Sequence, residues 1–126
     1  MNTAYRVWDG ETMHYWDDEG LSLTIKNNGD WTLKRLYTDV LVPVVDSTNR
    51  NAALMWGTGL KDKNKKMIYD KDSILDHGTD TRSIVRYDNE QAGFYLDLGI
   101  GGAFMVGDLE VIGDVYQNPE LLEGVE

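Results

Sequence analysis

In the stretch Thr58 to Leu75, TGLKDKNKKMIYDKDSIL, turn chemistry, charge and hydrophobic pattern together form a recognisable signature. Gly57 and Gly59 flank Thr58, which suits a chain that bends sharply where a Cβ would clash. Lys61-Asp62-Lys63-Asn64-Lys65-Lys66 then runs without one apolar side chain, so nothing in it is expected to anchor a core. Asp62 and Asn64 can bond their own backbone two residues on, which favours a tight turn. Met67-Ile68-Tyr69 restores the apolar pattern, Asp70-Lys71-Asp72 breaks it, and Ser73-Ile74-Leu75 resumes it. The order expected is strand, exposed loop, short strand, turn and strand, within a small barrel or sandwich.

Charge sets the same stretch apart. Between positions 61 and 71 five lysines face only Asp62 and Asp70, a net +3, so the rest of a chain of formal charge −10 carries −13. A positive loop on an acidic body is suited to docking an acidic partner or the negative surface of a second copy. Lys61, Lys63, Lys65 and Lys66 are therefore the candidate protein-binding residues. The plainer alternative is a solvated hairpin tip that lysines keep soluble.

The motif TGLKDKN, followed by an apolar-Tyr pair and an Asp before an Ile-Leu strand, resembles the signature of the YopX family, small proteins of phages and of prophages in Gram-positive bacteria. Two further segments are similar in order and spacing. One is Tyr5-Arg6-Val7-Trp8-Asp9-Gly10-Glu11-Thr12-Met13; the other is Glu110-Val111-Ile112-Gly113-Asp114-Val115-Tyr116 with the tail Asn118-Pro119-Glu120-Leu121-Leu122. The family usually has Gly near Lys65-Lys66 and Glu-Gly-Asp where this chain has Asp70-Lys71-Asp72, so a non-Gly residue is expected in a turn that relatives build with Gly. The resemblance implies an all-β protein whose C-terminal part is an SH3-like barrel. It implies no activity, no cofactor and no catalytic residue.

At 126 residues the chain is one domain, or a barrel with a smaller β appendage. Thirteen Gly against two Pro fit short strands and tight turns. Tyr5 to Trp8 and Thr12 to Trp16 read as a hairpin about Asp9-Gly10, with Tyr5, Trp8, Tyr15 and Trp16 expected in the core. Leu21, Leu23 and Ile25 alternate with polar residues, Asn27 to Asp30 reverses the chain, and Trp31 to Leu36 alternates back, a second hairpin. Val40 to Val45 is apolar throughout and is expected to be buried on both sides or to flank a core. Pro43 places it at an edge or a bulge. The polar loop Asp46 to Asn51 divides an N-terminal β-hairpin region (1–50) from the barrel (51–126).

Strands are expected over Ala52 to Trp56, Ser83 to Tyr87, Gly93 to Leu98, Ala103 to Val106 and Leu109 to Tyr116. Asn118 is suited to cap a short terminal helix that begins at Pro119 and ends by Leu122.

Enzyme motifs fail on inspection. Gly99, Gly101 and Gly102 lack the third glycine of a dinucleotide loop, since position 104 is Phe104. No Gly-Lys-Ser or Gly-Lys-Thr occurs. A calcium loop begun at Asp62 would need Gly and Glu where Met67 and Ser73 stand. His14 reads as a surface or half-buried packing residue and His77 as an exposed turn residue. No cysteine is present, so no thiolate nucleophile or cysteine-held metal exists, and a reducing bacterial cytoplasm is the expected compartment.

Net negative charge disfavours direct nucleic-acid binding and an anionic membrane surface. The first residues carry no signal-peptide pattern, and no apolar run approaches the roughly 18 residues of a spanning helix. The reading is a phage or prophage protein that binds or assembles without catalysis, its partner itself as a homo-oligomer or a host protein. The alternative is an acidic decoy that imitates nucleic acid and occupies a host DNA-binding protein.

Overall fold

The computed structural model describes residues 4–122. Strand makes up 54% of the described residues and helical turn 3%, so the fold is all-β. The described residues divide into two compact units, 4–56 and 57–122, and the division falls inside one strand, between Trp56 and Gly57.

In the first unit β1 (Tyr5–Trp8) and β2 (Met13–Tyr15) form the expected hairpin, with Val7 opposite His14. The Asp9 carboxylate closes its turn by accepting the Glu11 and Thr12 amides, each at 2.8 Å. β3 (Leu21–Ile25), β4 (Trp31–Tyr37) and β5 (Val40–Asp46) make a three-stranded antiparallel sheet. β6 (Ala53–Lys61) pairs its first residues with β1, Leu54 opposite Val7. Val7, Trp31 and Leu33 are the buried centre, against which Tyr5, Leu21, Leu23, Val44, Val45 and Leu54 pack. The alternation read in β3 and β4 thus puts Leu21, Leu23, Trp31 and Leu33 at the core, while Ile25 at the end of β3 is exposed.

Two expectations about this unit are corrected. Val40 to Val42 are not buried: Val40 is 61% exposed, and Leu41 and Val42 are also exposed. β5 is an edge strand, and only Val44 and Val45 reach the core. The far end of the β4–β5 hairpin runs past that core, turned by Thr38 and Asp39, both at positive φ as a type I′ turn requires. Pro43 does lie where predicted, on this edge beside a bulge opposite Leu33 and Lys34. The second correction concerns the aromatics: Tyr5, Trp8 and Tyr15 are half-buried and Trp16 is exposed.

In the second unit the end of β6 pairs with β7 (Met67–Tyr69) through a bulge between Gly57 and Lys61. Gly59, at φ +85, sits in that bulge, which accounts for the glycine. β8 (Asp72–Asp76), β9 (Thr81–Asp88), β10 (Gly93–Asp97), β11 (Gly102–Ala103) and β12 (Leu109–Asp114) form a curled five-stranded sheet in the order β11-β10-β9-β8-β12. Its buried centre is Ile68, Ile74, Val85, Leu96 and Leu109.

β6 runs on to Lys61, β9 spans Thr81–Asp88 and β10 ends at Asp97, and the boundaries after β10 also differ from expectation. β11 stops at Ala103 rather than Val106, and β12 stops at Asp114 rather than Tyr116. The terminal helix is only a 3-10 turn, Pro119–Leu122. Asp114 explains both changes at this end: its carboxylate accepts the Tyr116 and Gln117 amides at 2.9 Å and turns the chain there. The Asn118 side chain points back to the Asp114 amide at 3.3 Å instead of capping forward.

Candidate functional site

The hairpin loop between β6 and β7 brings the four candidate lysines together. Lys61 ends β6, Lys63, Lys65 and Lys66 follow in the loop, and all four are exposed. The loop is closed by Asp62 N–H to the Lys66 carbonyl at 2.8 Å and by Lys65 N–H to the Asp62 carbonyl at 2.9 Å.

The residue that holds it is one the sequence conceals. No residue of the run enters a hydrophobic core, as expected, yet Asp62 is only 7% exposed. One carboxylate oxygen accepts the Asn64 and Lys66 amides, and the other accepts the Val111 amide in β12, all at 2.9 Å. The Lys63 amide bonds the Leu109 carbonyl at 2.8 Å. A loop that looks like a solvated tip is therefore stapled at its base to the edge of the five-stranded sheet. Burial alone would raise the Asp62 carboxyl pKa. The Val111, Lys66 and Asn64 amides and the Lys66 ammonium outweigh it and hold the carboxyl below its ordinary range.

Asp108, just before β12, and Glu110 within it flank the loop. Lys63 Nζ lies 3.7 Å from Asp108, and Asn64 reaches Glu110 at 3.3 Å. Glu110 also meets His77 Nε2 at 2.7 Å, so His77 is an exposed turn residue, as read from the sequence, with a carboxylate beside it. A cleft of about 270 Å³ lies between residues 60–63 and 105–109.

Two lysines occupy left-handed backbone positions, Lys65 at φ +65 and Lys71 at φ +70. These are the turns in which the family resemblance leads a non-Gly residue to be expected. Removing the Cβ relieves about 1 kcal/mol or more of strain, and the extra freedom of glycine in the unfolded chain returns part of it. Lys65→Gly and Lys71→Gly are each expected to raise stability by about 0.5 kcal/mol, read from the midpoint of urea unfolding. A loss of stability for both would contradict the turn geometry.

His14 and His77 each lie beside a carboxylate, Asp9 and Glu110. His14 Nε2 meets Asp9 at 2.7 Å, and its Nδ1 faces the Arg35 guanidinium at 3.1 Å, so each ring nitrogen is engaged. Arg35 also donates to the Glu19 carbonyl at 3.0 Å. Among the described residues no group of three or more His, Cys, Asp or Glu could hold a metal ion.

Acid stability follows from the carboxylates. Asp9, Asp62 and Asp97 are all held below their ordinary range. At Asp9 and Asp62 hydrogen bonds outweigh burial; at Asp97 the Gly99 amide acts first and the Arg86 guanidinium second. A depressed carboxyl stabilises the fold fully above its unfolded value of about 3.9, and the contribution is lost as pH falls through the folded value. Thermal midpoints measured across pH are expected to be flat above about pH 5 and to drop below about pH 4. A midpoint that holds constant down to about pH 2 would contradict this.

Comparison with known proteins agrees with the residues already described. The family model "YopX protein" matches residues 4–123. The chain belongs to the YopX family. Over 137 aligned positions it is 58% identical to the SPbeta prophage-derived uncharacterized protein YopX of Bacillus subtilis (strain 168), covering all of both chains. The crystal structure of yopX from Bacillus subtilis is similar at a TM-score of 0.76 and 59% identity, covering 98% of this chain and 100% of that one. A crystal structure of an Enterococcus faecalis protein matches at a TM-score of 0.59 and 20% identity over 95% of this chain and 97% of that one, a likeness of fold alone. YopX membership fits the TGLKDKN loop and the strand from Glu110, the two segments that Asp62 joins through Val111.

Proposed function

We propose that this YopX protein is a phage- or prophage-encoded binding or assembly module without catalytic activity, and that its lysine hairpin is the contact surface. The observation that carries the reading is the Asp62 staple, which presents Lys61, Lys63, Lys65 and Lys66 on a braced loop. Bracing matters because ordering a lysine-rich loop on binding would cost part of the affinity gained. The partner is an acidic protein surface, and a second copy supplies one, since the body outside the segment is strongly negative. The same reading takes the curled C-terminal sheet as an SH3-like barrel and the bacterial cytoplasm as the compartment, consistent with a chain free of cysteine.

The decoy alternative has less support. Asp9, Asp46, Asp76, Asp88, Asp97 and Asp114 each accept the amide two residues on, so carboxylates are spread among separate turns as local braces. Such scatter does not imitate the regular spacing of phosphates.

Sedimentation velocity across a salt series tests the proposal. The expected mass is a multiple of 14.3 kDa at low salt and falls as salt rises. Replacing all four lysines by glutamate is expected to leave a monomer throughout. A monomer at every salt concentration would overturn it.

A further inference from the structure

On the opposite edge of the five-stranded sheet from β12, β10 keeps only a short neighbour, β11. β11 pairs with β10 only at Leu96 to Ala103 and Asp97 to Gly102. After Ala103 the chain bends, with Val106 N–H to the Phe104 carbonyl at 2.8 Å, and leaves Gly93 to Tyr95 without a strand on that side. Leu98 N–H bonds the Gly101 carbonyl, so by the two-residue alternation of an antiparallel ladder Leu96 and Phe94 aim their backbone groups at the same edge. Leu96 is opposed by Ala103; the N–H and C=O of Phe94 face a groove.

That groove has a volume of about 470 Å³ and is lined by Phe94, Tyr95, Gly102, Ala103, Phe104 and, at one end, Asp88. Phe94 packs edge-on against Tyr87, ring centres 5.1 Å apart, which fixes one wall. Phe104 is 84% exposed at the other. An open ladder position, an aromatic cleft beside it and an acidic end are the parts of a strand-addition site. We infer that the β10 edge binds an extended peptide segment of a partner protein, added antiparallel as a continuation of β11, with apolar side chains in the groove and a basic residue at its C-terminal end. Antiparallel addition puts that end beside Gly93, which is paired to Asp88. The basic residue follows from the Asp88 carboxylate. This surface does not include the lysine hairpin, so either reading can fail without the other.

The probe is the peptide acetyl-Val-Thr-Val-Thr-Val-Arg-amide, titrated into isotope-labelled protein at salt high enough to keep the chain monomeric and followed by amide chemical shifts. Shifts are expected at residues 92–96 and 102–106, with slowed exchange at the Phe94 amide. Phe104→Asp, at an exposed position that folding does not need, is expected to weaken binding about tenfold or more. Glutamate in place of the peptide arginine is also expected to weaken it. Of two peptides N-methylated on alternate residues, one is expected to lose binding and the other to keep it. The four-lysine variant is expected to bind as the parent chain does. No shifts at millimolar peptide, or equal binding by both methylated peptides, would overturn the inference. A dimer at high salt that Phe104→Asp disperses would also overturn it, because the occupant would then be a second copy.

Discussion

Asp62→Ala is expected to destabilise the second unit by about 3 kcal/mol, although it changes one residue in a loop made otherwise of exposed polar groups. Three amides lose their acceptor at once, those of Asn64, Lys66 and Val111. A buried amide left unsatisfied costs about 1–3 kcal/mol, reduced here where water can enter from the loop side. Asp62→Asn keeps one oxygen and is expected to lose about half as much. The measurement is urea unfolding followed by far-ultraviolet circular dichroism. Tryptophan fluorescence does not serve, because Trp8, Trp16, Trp31 and Trp56 all lie in the first unit. A change below about 0.5 kcal/mol for the alanine variant would mean that the staple contributes nothing beyond what solvent supplies.

Ile74→Ala is expected to cost about 4 kcal/mol. Ile74 is fully buried at the centre of the five-stranded sheet, opposite Val111 in the β8–β12 register and in one cluster with Ile68, Val85, Leu96 and Leu109. Deleting such a side chain loses its transfer free energy and leaves a cavity that the neighbouring strands cannot close. Val42→Ser removes an equally apolar residue from the exposed end of β5 and is expected to change stability by less than about 0.5 kcal/mol. Equal effects from the two substitutions, in the same unfolding assay, would contradict the assignment of core and edge.

The contrast between Ile74 and Val42 shows how far the sequence could be read. Period-two alternation at Leu21, Leu23 and Ile25 placed β3, and the punctuation around Met67 to Tyr69 placed β7, because both are local properties of the chain. Val40 to Val45 offered no alternation, and a continuous apolar run reads as buried by default. Pro43 marked the run as an edge or a bulge; that its far end lies beyond the core depends on where β4 and β5 stop relative to Val7 and Leu33, which no local pattern records.

The lysine hairpin was visible as a charge cluster, and a non-Gly residue in a tight turn was expected near it. Asp62 was visible only as a turn former. Its partner Val111 is 49 residues away, and a carboxylate that holds a strand amide looks in sequence like any other loop acid. The open β10 edge was missed for a related reason. Ala103 to Val106 reads as a strand by composition, and the bend that turns Phe104 outward is a backbone event.

Amide hydrogen exchange at Lys66 and Val111 tests most directly whether the lysine hairpin is a braced projection from the sheet. Both amides are predicted to be protected in the parent chain and to exchange freely in Asp62→Ala, while the amides of β9 stay protected. Exchange of the Lys66 and Val111 amides in the parent chain at the rate of an unstructured loop would contradict the account.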